Sequence, residues 1–332
     1  MSARFVKFSL GLLVSLGLLV WIIAAVDWQE VLFHLSTVRL EWCIAGVLAL
    51  ALHHVLRAVR WRYFLPAETK ASFWTFFDSL MLGNFASFVL PLRAGEFVRP
   101  YALARQSNCR FVTGFTSVVV ERFFDLSAVL LTFGALLTVL EGMPIWVEQG
   151  AFALSSLALA ILVFMLIGAF WSMWLMRLIR HLSRPFPISI RRSGRRLVLN
   201  LLRGVMVLRN PRRLLFALGF TVLVWGTCYI YFHFSLWMFS IETQTIMGTT
   251  IAVLVALAVA APSAPGFIGV YQTGCIAGFA IFGLNKELAI AYSLVTHITQ
   301  YIGIVSYGVY LLFKYQMKLG EMVQLREGLQ PV

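Results

Sequence analysis

The residues best suited to chemistry lie in the decapeptide from Leu90 to Arg99, which reads Leu-Pro-Leu-Arg-Ala-Gly-Glu-Phe-Val-Arg. Arg93 and Arg99 are of the type that binds a phosphate group through charge-assisted, often paired hydrogen bonds. Glu96 lies between them and could hold either guanidinium group when no anion is bound. We therefore predict a phosphate-binding site here, with Asn84, just upstream, as a further candidate residue.

A second group of charges, Glu121, Arg122 and Asp125, interrupts the apolar run from Phe111 to Leu140. On a helix, Glu121 and Asp125 share a face, and Arg122 lies within reach of Asp125. A lone charge in the middle of a bilayer is costly, so these side chains should face the protein interior and pair with the arginines of the decapeptide. The pattern fits a substrate site and, equally, a structural ion-pair lock between helices.

A third candidate is the segment from residue 262 to 272, where proline and glycine break an apolar stretch. Proline ends a helix, so it frees backbone groups that protein, water or a ligand must satisfy. Interrupted segments in corresponding places of two halves mark the binding sites of transporters. The candidate residues are Pro262, Pro265, Gly266, Gly269, Tyr271 and Gln272. A short cytoplasmic turn between two full spans is the alternative.

These groups need helices in a membrane to position them, and the composition indicates such helices. Of 332 residues, 60% are hydrophobic and 12% charged, which is more apolar surface than a soluble domain can bury. Runs long enough to cross about 30 Å of hydrocarbon recur at 8–26, 42–58, 112–140, 151–176, 214–240, 246–261, 267–283 and 288–313. We predict an all-α fold: one integral membrane domain over residues 1–332, with about eight transmembrane helices and re-entrant or broken helices near 72–99 and 262–272.

The distribution of arginine sets the predicted topology. Eleven arginines lie between Arg177 and Arg213, so the positive-inside rule places that loop in the cytoplasm. The first half of the domain then covers residues 1–176 and the second half 214–313. A short cytoplasmic tail follows at 314–332, and both termini lie inside.

The segment from Ser72 to Leu92 is predicted to re-enter the membrane rather than to cross it. Basic residues lie on both sides of it, at Lys70 and again from Arg93 onwards, and one full crossing would put one of these groups outside. A re-entrant hairpin or a pair of half-helices keeps both groups in the cytoplasm. We expect breaks near Gly83-Asn84 and near Pro91.

Other polar residues are predicted to have structural roles. The cluster Arg57, Arg60, Trp61 and Arg62 is typical of an anchor at the headgroup level. The histidines lack metal-like spacing, and we expect packed or hydrogen-bonded side chains at His53, His54, His233 and His297. No metal, cofactor or catalytic residue is predicted, since no P-loop, catalytic triad or acidic metal cluster occurs. Without a soluble domain, the net charge of +13 is no argument for nucleic-acid binding.

Four short motifs occur in order along the chain: Arg60-Trp61-Arg62, Pro91-x-Arg93-x-Gly95-Glu96-x-x-Arg99, Glu121-Arg122-x-x-Asp125 and Pro262-x-x-Pro265-Gly266-x-x-Gly269. Over nearly the whole chain, they resemble the lysylphosphatidylglycerol synthase transmembrane-region family of flippase-like membrane proteins. The resemblance implies a multi-helix domain associated with moving lipids between leaflets. Two-part members add a soluble aminoacyltransferase, which we expect to be absent, since only 19 residues follow Phe313.

One position departs from the family pattern: where the family often has a glutamate after the Pro-Gly turn, this chain has Gln272. A neutral amide is no counter-ion, which favours an anionic or neutral headgroup over an aminoacyl-lipid cation. We expect a flippase or transporter that moves a phosphate-bearing lipid, either a phospholipid or a polyprenyl phosphate, and not an enzyme. The alternatives are a membrane-embedded lipid-phosphate or glycolipid transferase and an accessory subunit of a cell-envelope lipid enzyme.

The expected partners are membrane lipids, with anionic headgroups that the arginine-rich loop could attract. A second copy of the chain or a lipid-modifying enzyme could be a protein partner, and nucleic acid is not expected. The expected location is a cell membrane, of the bacterial cytoplasmic kind, which the chain crosses several times.

Overall fold

The computed structural model describes residues 26–90, 94–140, 207–241, 246–260 and 264–317, with scattered positions between 149 and 181. Within these ranges every regular element is a helix, which confirms the all-α class. The α-helices in chain order are α1 (Trp28–Ser36), α2 (Leu40–Tyr63), α3 (Phe73–Val89), α4 (Gly95–Gln106), α5 (Phe111–Leu137), α6 (Pro211–Met238), α7 (Met247–Ala260), α8 (Val270–Ile281) and α9 (Lys286–Tyr315). Short 3₁₀ turns occur at Val207–Arg209 and Pro265–Phe267.

Three of these helices, α2, α6 and α9, are long and apolar enough to cross a membrane. They contain 24, 28 and 30 residues, and at about 1.5 Å per residue each exceeds the roughly 30 Å of a hydrocarbon core. Helix α5 has 27 residues and carries the charged group at 121–125. The chain is thus an all-α polytopic membrane protein. The predicted runs 8–26 and 151–176 lie largely outside the described residues, so the number of crossings stays a prediction.

Two compact units divide the chain. The first contains residues 1–54, 80–98 and 225–332, and the second contains residues 55–79 and 99–224. Each unit combines segments from distant parts of the sequence, and α2, α3, α4 and α6 contribute residues to both. The prediction of one integral domain with two sequential halves stays a prediction.

The first unit is built around an apolar core to which α6, α7, α8 and α9 contribute. Two of its helices begin with a side-chain cap. Asp27 accepts from the Gln29 backbone N–H ahead of α1, and Asn285 accepts from the Leu288 N–H ahead of α9, both at 2.9 Å. Such caps satisfy backbone donors that have no partner within the helix, so they fix where each helix begins.

The decapeptide begins directly after α3, and its second half forms the first residues of α4, which is a short helix. Its 12 residues extend about 18 Å, too little to cross the membrane alone. In the first unit, Gly95 at the start of α4 approaches the backbone carbonyl of Gly83 so closely that a β-carbon would not fit. The predicted break near Gly83-Asn84 is wrong, because α3 runs without interruption from Phe73 to Val89. Glycine here permits close packing of the returning chain instead of ending the helix.

The loops before α3 and after α4 are joined within the second unit. The side-chain amide of Asn108 donates to the Glu68 carbonyl oxygen at 2.9 Å, and its oxygen accepts from the Lys70 backbone N–H at 2.7 Å. Glu68 and Lys70 precede α3, and Asn108 follows α4. The chain therefore returns, after α4, to the loop from which it entered α3.

In the first unit, α7 and α8 form a closely packed pair. A β-carbon on Gly278 would meet Ile251 at 2.7 Å, and one on Gly274 would meet the Val255 backbone at 2.8 Å. Later residues of α8 thus face earlier residues of α7, which makes the pair antiparallel. With 14 and 12 residues, these helices are about 21 and 18 Å long, each shorter than the hydrocarbon core. Helix α8 also packs against α9, and α9 against α1.

Candidate functional site

Buried charge is concentrated in the second unit, around the carboxylate of Glu121 on α5. Glu121 is completely buried, and guanidinium groups from α2 and α4 converge on it. Arg60 Nη2 lies 3.0 Å from Glu121 Oε1, and Arg99 Nη2 lies 2.8 Å from Oε2. Arg57 and Arg122 are more distant from Oε1, at 3.9 and 3.6 Å. One carboxylate thus faces four arginines.

Asp125, one helical turn along α5, extends this cluster. Its Oδ1 lies 2.7 Å from Arg60 Nη1, and its Oδ2 lies 3.7 Å from Arg122 Nη2. Arg60 also donates to the hydroxyl of Thr221 on α6 at 3.3 Å, so two carboxylates and a hydroxyl hold its guanidinium group. We call the following side chains the arginine network: Arg57, Arg60, Arg99, Glu121, Arg122 and Asp125.

Arg99 differs from Arg60 in how its guanidinium group is held. Its guanidinium carbon lies 3.9 Å from the ring centroid of Trp61, a cation–π contact. Only 3% of the residue is exposed, yet none of its three guanidinium nitrogens has a partner with hydrogen-bond geometry in the described part of the chain. Its contact with Glu121 is close but ionic. The aromatic ring covers the face of the guanidinium group and leaves the donors at its edge.

Trp61 is itself fixed by α5. Its indole N–H donates to Ser117 Oγ at 2.8 Å, and the Ser117 hydroxyl donates to the Gly114 carbonyl at 2.7 Å. Trp61 is fully buried and meets Phe76 edge-to-face. A ring held by a hydrogen bond and by packing presents a fixed surface to the guanidinium group. Trp61 is therefore a positioning residue for Arg99.

The prediction that Arg60 and Trp61 anchor the chain at the headgroup level is wrong. Both side chains are fully buried, whereas Arg62 beside them is exposed. Their burial is tolerated because the carboxylates of α5 neutralise the guanidinium group and a serine of α5 satisfies the indole. The spacing contains the signal: Arg57, Arg60, Trp61 and Phe64 follow one another at intervals of three, one and three residues, which places them on one face of α2.

A second cluster of polar side chains lies at the late Pro/Gly break, in the first unit. The described residues show no ion pair in this cluster. Gln272, in the first turn of α8, accepts from the Gly269 backbone N–H at 2.8 Å. Its amide nitrogen lies 3.2 Å from His297 Nδ1 on α9. The ring of Tyr271 stacks on this imidazole with centroids 4.4 Å apart. Gln272 thus ties the break to α9.

Tyr271 extends this group along α9. Its hydroxyl donates to Thr296 Oγ1 and accepts from the side-chain amide of Gln300, both at 3.1 Å. The Thr296 carbonyl in turn accepts from the Tyr231 hydroxyl at 2.8 Å. We call the following side chains the neutral network: Tyr271, Gln272, Thr296, His297 and Gln300. The three partners on α9 lie within about one turn of that helix, a spacing that indicates a shared face.

The two broken segments touch within the first unit. Phe88, near the end of α3, meets Phe267 of the 3₁₀ turn edge-to-face with ring centroids 5.5 Å apart. A β-carbon on Gly266 would lie 3.5 Å from the Phe88 carbonyl oxygen. Gly266 and Gly269 have φ angles of +72° and +87°, a backbone region that favours glycine. The late break is therefore a tight turn packed against the end of α3.

The sequence profile of the lysylphosphatidylglycerol synthase transmembrane region matches residues 8–308, nearly the whole chain. The chain belongs to this family. Membership confirms the resemblance drawn from the four motifs and makes the chain a lipid-related membrane protein. No solved structure matches the chain.

Among curated proteins, this family member is similar to the glycosyltransferase AglD of Haloferax volcanii, with 30% identity over 119 residues. The aligned stretch is 35% of this chain and 19% of AglD. The chain thus spans about a fifth of the length of the curated relative that it matches. Most of AglD has no counterpart in the aligned stretch.

The predicted site residues of this family member fall into separate groups. In the second unit, the arginine network unites Arg99, Glu121, Arg122 and Asp125. In the first unit, the neutral network contains Tyr271 and Gln272, and the turn before it contains Pro265, Gly266 and Gly269. Arg93 and Pro262 lie outside the described residues.

Two predicted residues belong to neither network. Glu96 is half-buried in the first turn of α4, and Asn84 is half-buried in α3, where its amide points toward the Met81 sulfur at 4.0 Å. Asp78 on α3, for which the sequence pattern gives no specific signal, is completely buried in the second unit.

Proposed function

We propose that this family member moves a phosphate-bearing lipid between leaflets, with the arginine network as its phosphate-binding site. The observation that carries the proposal is Arg99, a buried guanidinium group stacked on Trp61. Its Nε and Nη1 show no partner with hydrogen-bond geometry among the described residues, and its Nη2 lies 2.8 Å from Glu121 Oε2. Phosphate oxygens match such donors in charge and geometry. A phospholipid and a polyprenyl phosphate both present this group.

The charge balance of the arginine network supports the same ligand. Within the arginine network itself, four guanidinium groups face two carboxylates at 3.9 Å or less. Excess charge at membrane depth is costly unless a counter-ion joins it. A lipid phosphate would supply negative charge, and Glu121 would release Arg99 as the phosphate binds. Such an exchange of partners lets a charged headgroup bind and leave while the arginines stay paired.

The short helix pairs support a path for lipid at membrane depth. Hydrogen bonds of Asn108 join the loop before α3 to the loop after α4. Helices α7 and α8 are each too short to cross the membrane alone. We interpret both pairs as re-entrant hairpins, whose tips would offer backbone groups to a polar headgroup. The pair α7–α8 then replaces two of the predicted crossings, which keeps both termini in the cytoplasm.

Cysteine labelling tests the re-entrant interpretation of α3–α4. In a chain whose four free cysteines are replaced by alanine, Ala67→Cys and Arg110→Cys place one exposed thiol before the pair and one after it. We expect a membrane-impermeant maleimide to reach both thiols from the cytoplasmic face. Labelling from opposite faces would mean that α3–α4 crosses the membrane.

Liposomes that contain the purified chain and headgroup-labelled lipids test the activity. Access of an impermeant quencher to the label measures movement between leaflets, and chromatography of the same lipids measures chemical conversion. We expect movement without conversion. Arg99→Gln should lower the rate of movement about tenfold or more, because it removes charge-assisted bonds to the phosphate. Conversion without movement would contradict the proposal.

Arg105→Gln is the matched control for this experiment. Arg105 lies on the same helix, α4, but it is exposed and outside the arginine network. Its replacement removes the same charge from the surface, so movement should stay within about twofold of wild type. An equal loss in both variants would show that total charge, rather than the arginine network, controls movement.

A second candidate function is a membrane-embedded step in glycolipid synthesis, favoured by the similarity to the glycosyltransferase AglD. The arginine network would then hold the phosphate of a lipid-linked sugar. Glu121 or Asp125 would have to act as acid or base in contact with substrate. Glu121 is completely buried among arginines, whereas Asp125 is 13% exposed, so Asp125 is the better candidate. Conversion of a labelled glycolipid that Asp125→Asn abolishes would support this function.

A further inference from the structure

Gln272 connects the start of α8 to an imidazole. Its oxygen accepts from the backbone N–H of Gly269, just ahead of α8, and its nitrogen faces His297 Nδ1 on α9. A backbone N–H can only donate, so the Gly269 contact determines which end of the side-chain amide is oxygen. The amide nitrogen therefore points at the imidazole as a donor.

This orientation determines where His297 carries its proton. An amide nitrogen offers only donors, so Nδ1 must accept and can hold no proton. The imidazole is then neutral, with its proton on Nε2. Nε2 is buried and makes no well-aligned hydrogen bond within the described ranges, although the Gly266 backbone lies close to the imidazole. A proton that binds at Nδ1 would therefore act first on the contact with Gln272.

The segment held by this contact is a turn with a strained backbone. Gly266, Phe267 and Gly269 have positive φ angles of +72°, +59° and +87°. Phe267 carries a β-carbon, so its left-handed conformation is strained and persists only while its surroundings hold it. Two restraints are the packing of Phe267 on Phe88 and the Gln272 bond to Gly269. Loss of the second restraint would loosen the turn.

Among the described residues, the groups recorded against the imidazole are uncharged. Tyr271 of α8 stacks on it, Phe88 of α3 lies 6.3 Å from it between ring centroids, and the Gly266 backbone faces it from the turn. On α9 its neighbours include Thr296 and Gln300. One turn further along α9, Tyr301 packs on the same Phe88 ring, with centroids 5.5 Å apart. Tyr271 and Tyr301 are the titratable groups among these neighbours, and the described residues show no ion pair to the imidazole. A cation here would lack a counter-ion, which favours any rearrangement that gives it water or a new partner.

We propose that His297 is a proton-binding site that controls the turn at residues 264–269. The proton binds the Nδ1 lone pair, and the Gln272 amide nitrogen can no longer donate to it. If the Gln272 amide keeps its orientation, it loses the bond to His297. If it turns so that its oxygen accepts from the protonated Nδ1, its nitrogen faces the Gly269 N–H and the bond to Gly269 is lost. Proton uptake releases the turn, and proton release restores it.

In the proposed transporter, this site makes lipid movement depend on a proton, a step that rests on the proposed function. The dependence follows from linkage: the released turn binds the proton more tightly than the capped turn, so lower pH favours release. One proton shifts such an equilibrium by up to about tenfold for each unit of pH.

Hydrogen exchange on the full chain in lipid nanodiscs measures the release of the turn at residues 264–269 independently of lipid transport. Backbone amides of residues 264–273 are followed between about pH 7.5 and about pH 5.5, the range in which an ordinary imidazole takes up its proton, and rates are corrected for intrinsic exchange. We expect the corrected rate in this segment to rise as the pH falls, by up to about tenfold per unit. A corrected rate that does not change with pH would overturn the proposal.

His297→Gln and His34→Gln are the paired variants. Glutamine at 297 can accept from Gln272 but cannot titrate, so the corrected rate should lose its pH dependence. His34 lies on α1 beside Glu30, and His34→Gln should keep the wild-type dependence. A dependence retained in His297→Gln would overturn the proposal.

Nitrogen NMR of the imidazoles provides a second measurement, in which the His297 signal is the one that His297→Gln removes. We expect this imidazole to carry its proton only on Nε2 at about pH 7.5 and to gain a proton on Nδ1 as the pH is lowered. An Nδ1 proton on His297 at about pH 7.5, or an imidazole that never gains one, would contradict the site.

The liposome assay, repeated at both pH values, measures the dependence of lipid movement. We expect faster movement at low pH in the wild type and equal rates at both values in His297→Gln. If exchange changes with pH but no lipid moves, the proposed function fails and the proton site stands. If lipid moves equally at both values in the wild type, the proton dependence fails and the proposed function stands.

Discussion

The arginine network and the neutral network both bury polar groups in a membrane protein, but they satisfy those groups in different ways. In the arginine network, Glu121 faces four guanidinium groups and donors exceed acceptors. In the neutral network, Gln272 and Tyr271 each donate to one partner and accept from another at 2.8 to 3.2 Å. In our proposals, the first arrangement binds an anion, and the second consists of directional bonds that a single proton rearranges.

Glu121→Gln should have the strongest effect, because it removes the charge at the centre of the arginine network. Arg99 would lose the carboxylate beside it, Arg60 would lose one of its two carboxylates, and both side chains would remain buried. Breaking a buried ion pair from one side costs about 3–5 kcal/mol, so the free energy of unfolding should fall by that order. Thermal denaturation in detergent micelles measures the loss.

Glu41→Gln is the control that separates burial from charge. Glu41 lies on α2 and pairs with Arg39 at 2.6 Å, but both side chains are half exposed or more. Water screens such a pair, so we expect no measurable change in Tm. Equal losses in the two variants would remove the distinction between buried and exposed ion pairs in this chain.

Thr296→Val should have a smaller effect, in the neutral network. Valine keeps the volume of the side chain and removes the oxygen that accepts from the Tyr271 hydroxyl. The buried hydroxyl then lacks one acceptor, at a cost of about 1–3 kcal/mol. Thermal denaturation should place this variant between wild type and Glu121→Gln. A loss greater than that of Glu121→Gln would reverse the order of the two networks.

Trp61→Phe should have the weakest effect. Phenylalanine keeps an aromatic face against Arg99 but removes the indole bond to Ser117, a net loss of about 0.5–1.5 kcal/mol. It also leaves a small space where the larger ring was buried. Lipid movement in liposomes should stay within about threefold of wild type, whereas Trp61→Leu, which removes the aromatic face, should slow it further. Equal rates in the two variants would show that stacking does not position Arg99.

Helix positions can be predicted from the sequence because they depend on local apolar content. The pairing of Glu121 can be predicted because an unpaired charge in the membrane has a high energetic cost. The apolar runs 42–58, 112–140 and 288–313 coincide with most of α2, α5 and α9, since length and apolar content are read directly from the chain. The cost of a buried charge predicts a partner for Glu121 in the decapeptide, and Arg99 is that partner at 2.8 Å.

The direction of side chains depends on distant packing and is harder to predict. Arg60 and Trp61 have the composition of a headgroup anchor, but α5 supplies Glu121 and Ser117, 61 and 56 residues further along, as partners that allow burial. From the sequence, Gly83 likewise predicts a helix break. The structure shows instead that Gly95 packs closely against the Gly83 backbone. Such long-range contacts override local preference.

Whether the arginine network binds a lipid phosphate is decided by comparing two lipids in liposomes that contain wild type or Arg99→Gln. One lipid is a labelled phospholipid, and the other is a labelled glycolipid with the same acyl chains and no phosphate. We expect wild type to move the phospholipid about tenfold faster or more, and Arg99→Gln to lose most of that preference. Equal rates for the two lipids in wild type, or an undiminished preference in Arg99→Gln, would contradict the phosphate site.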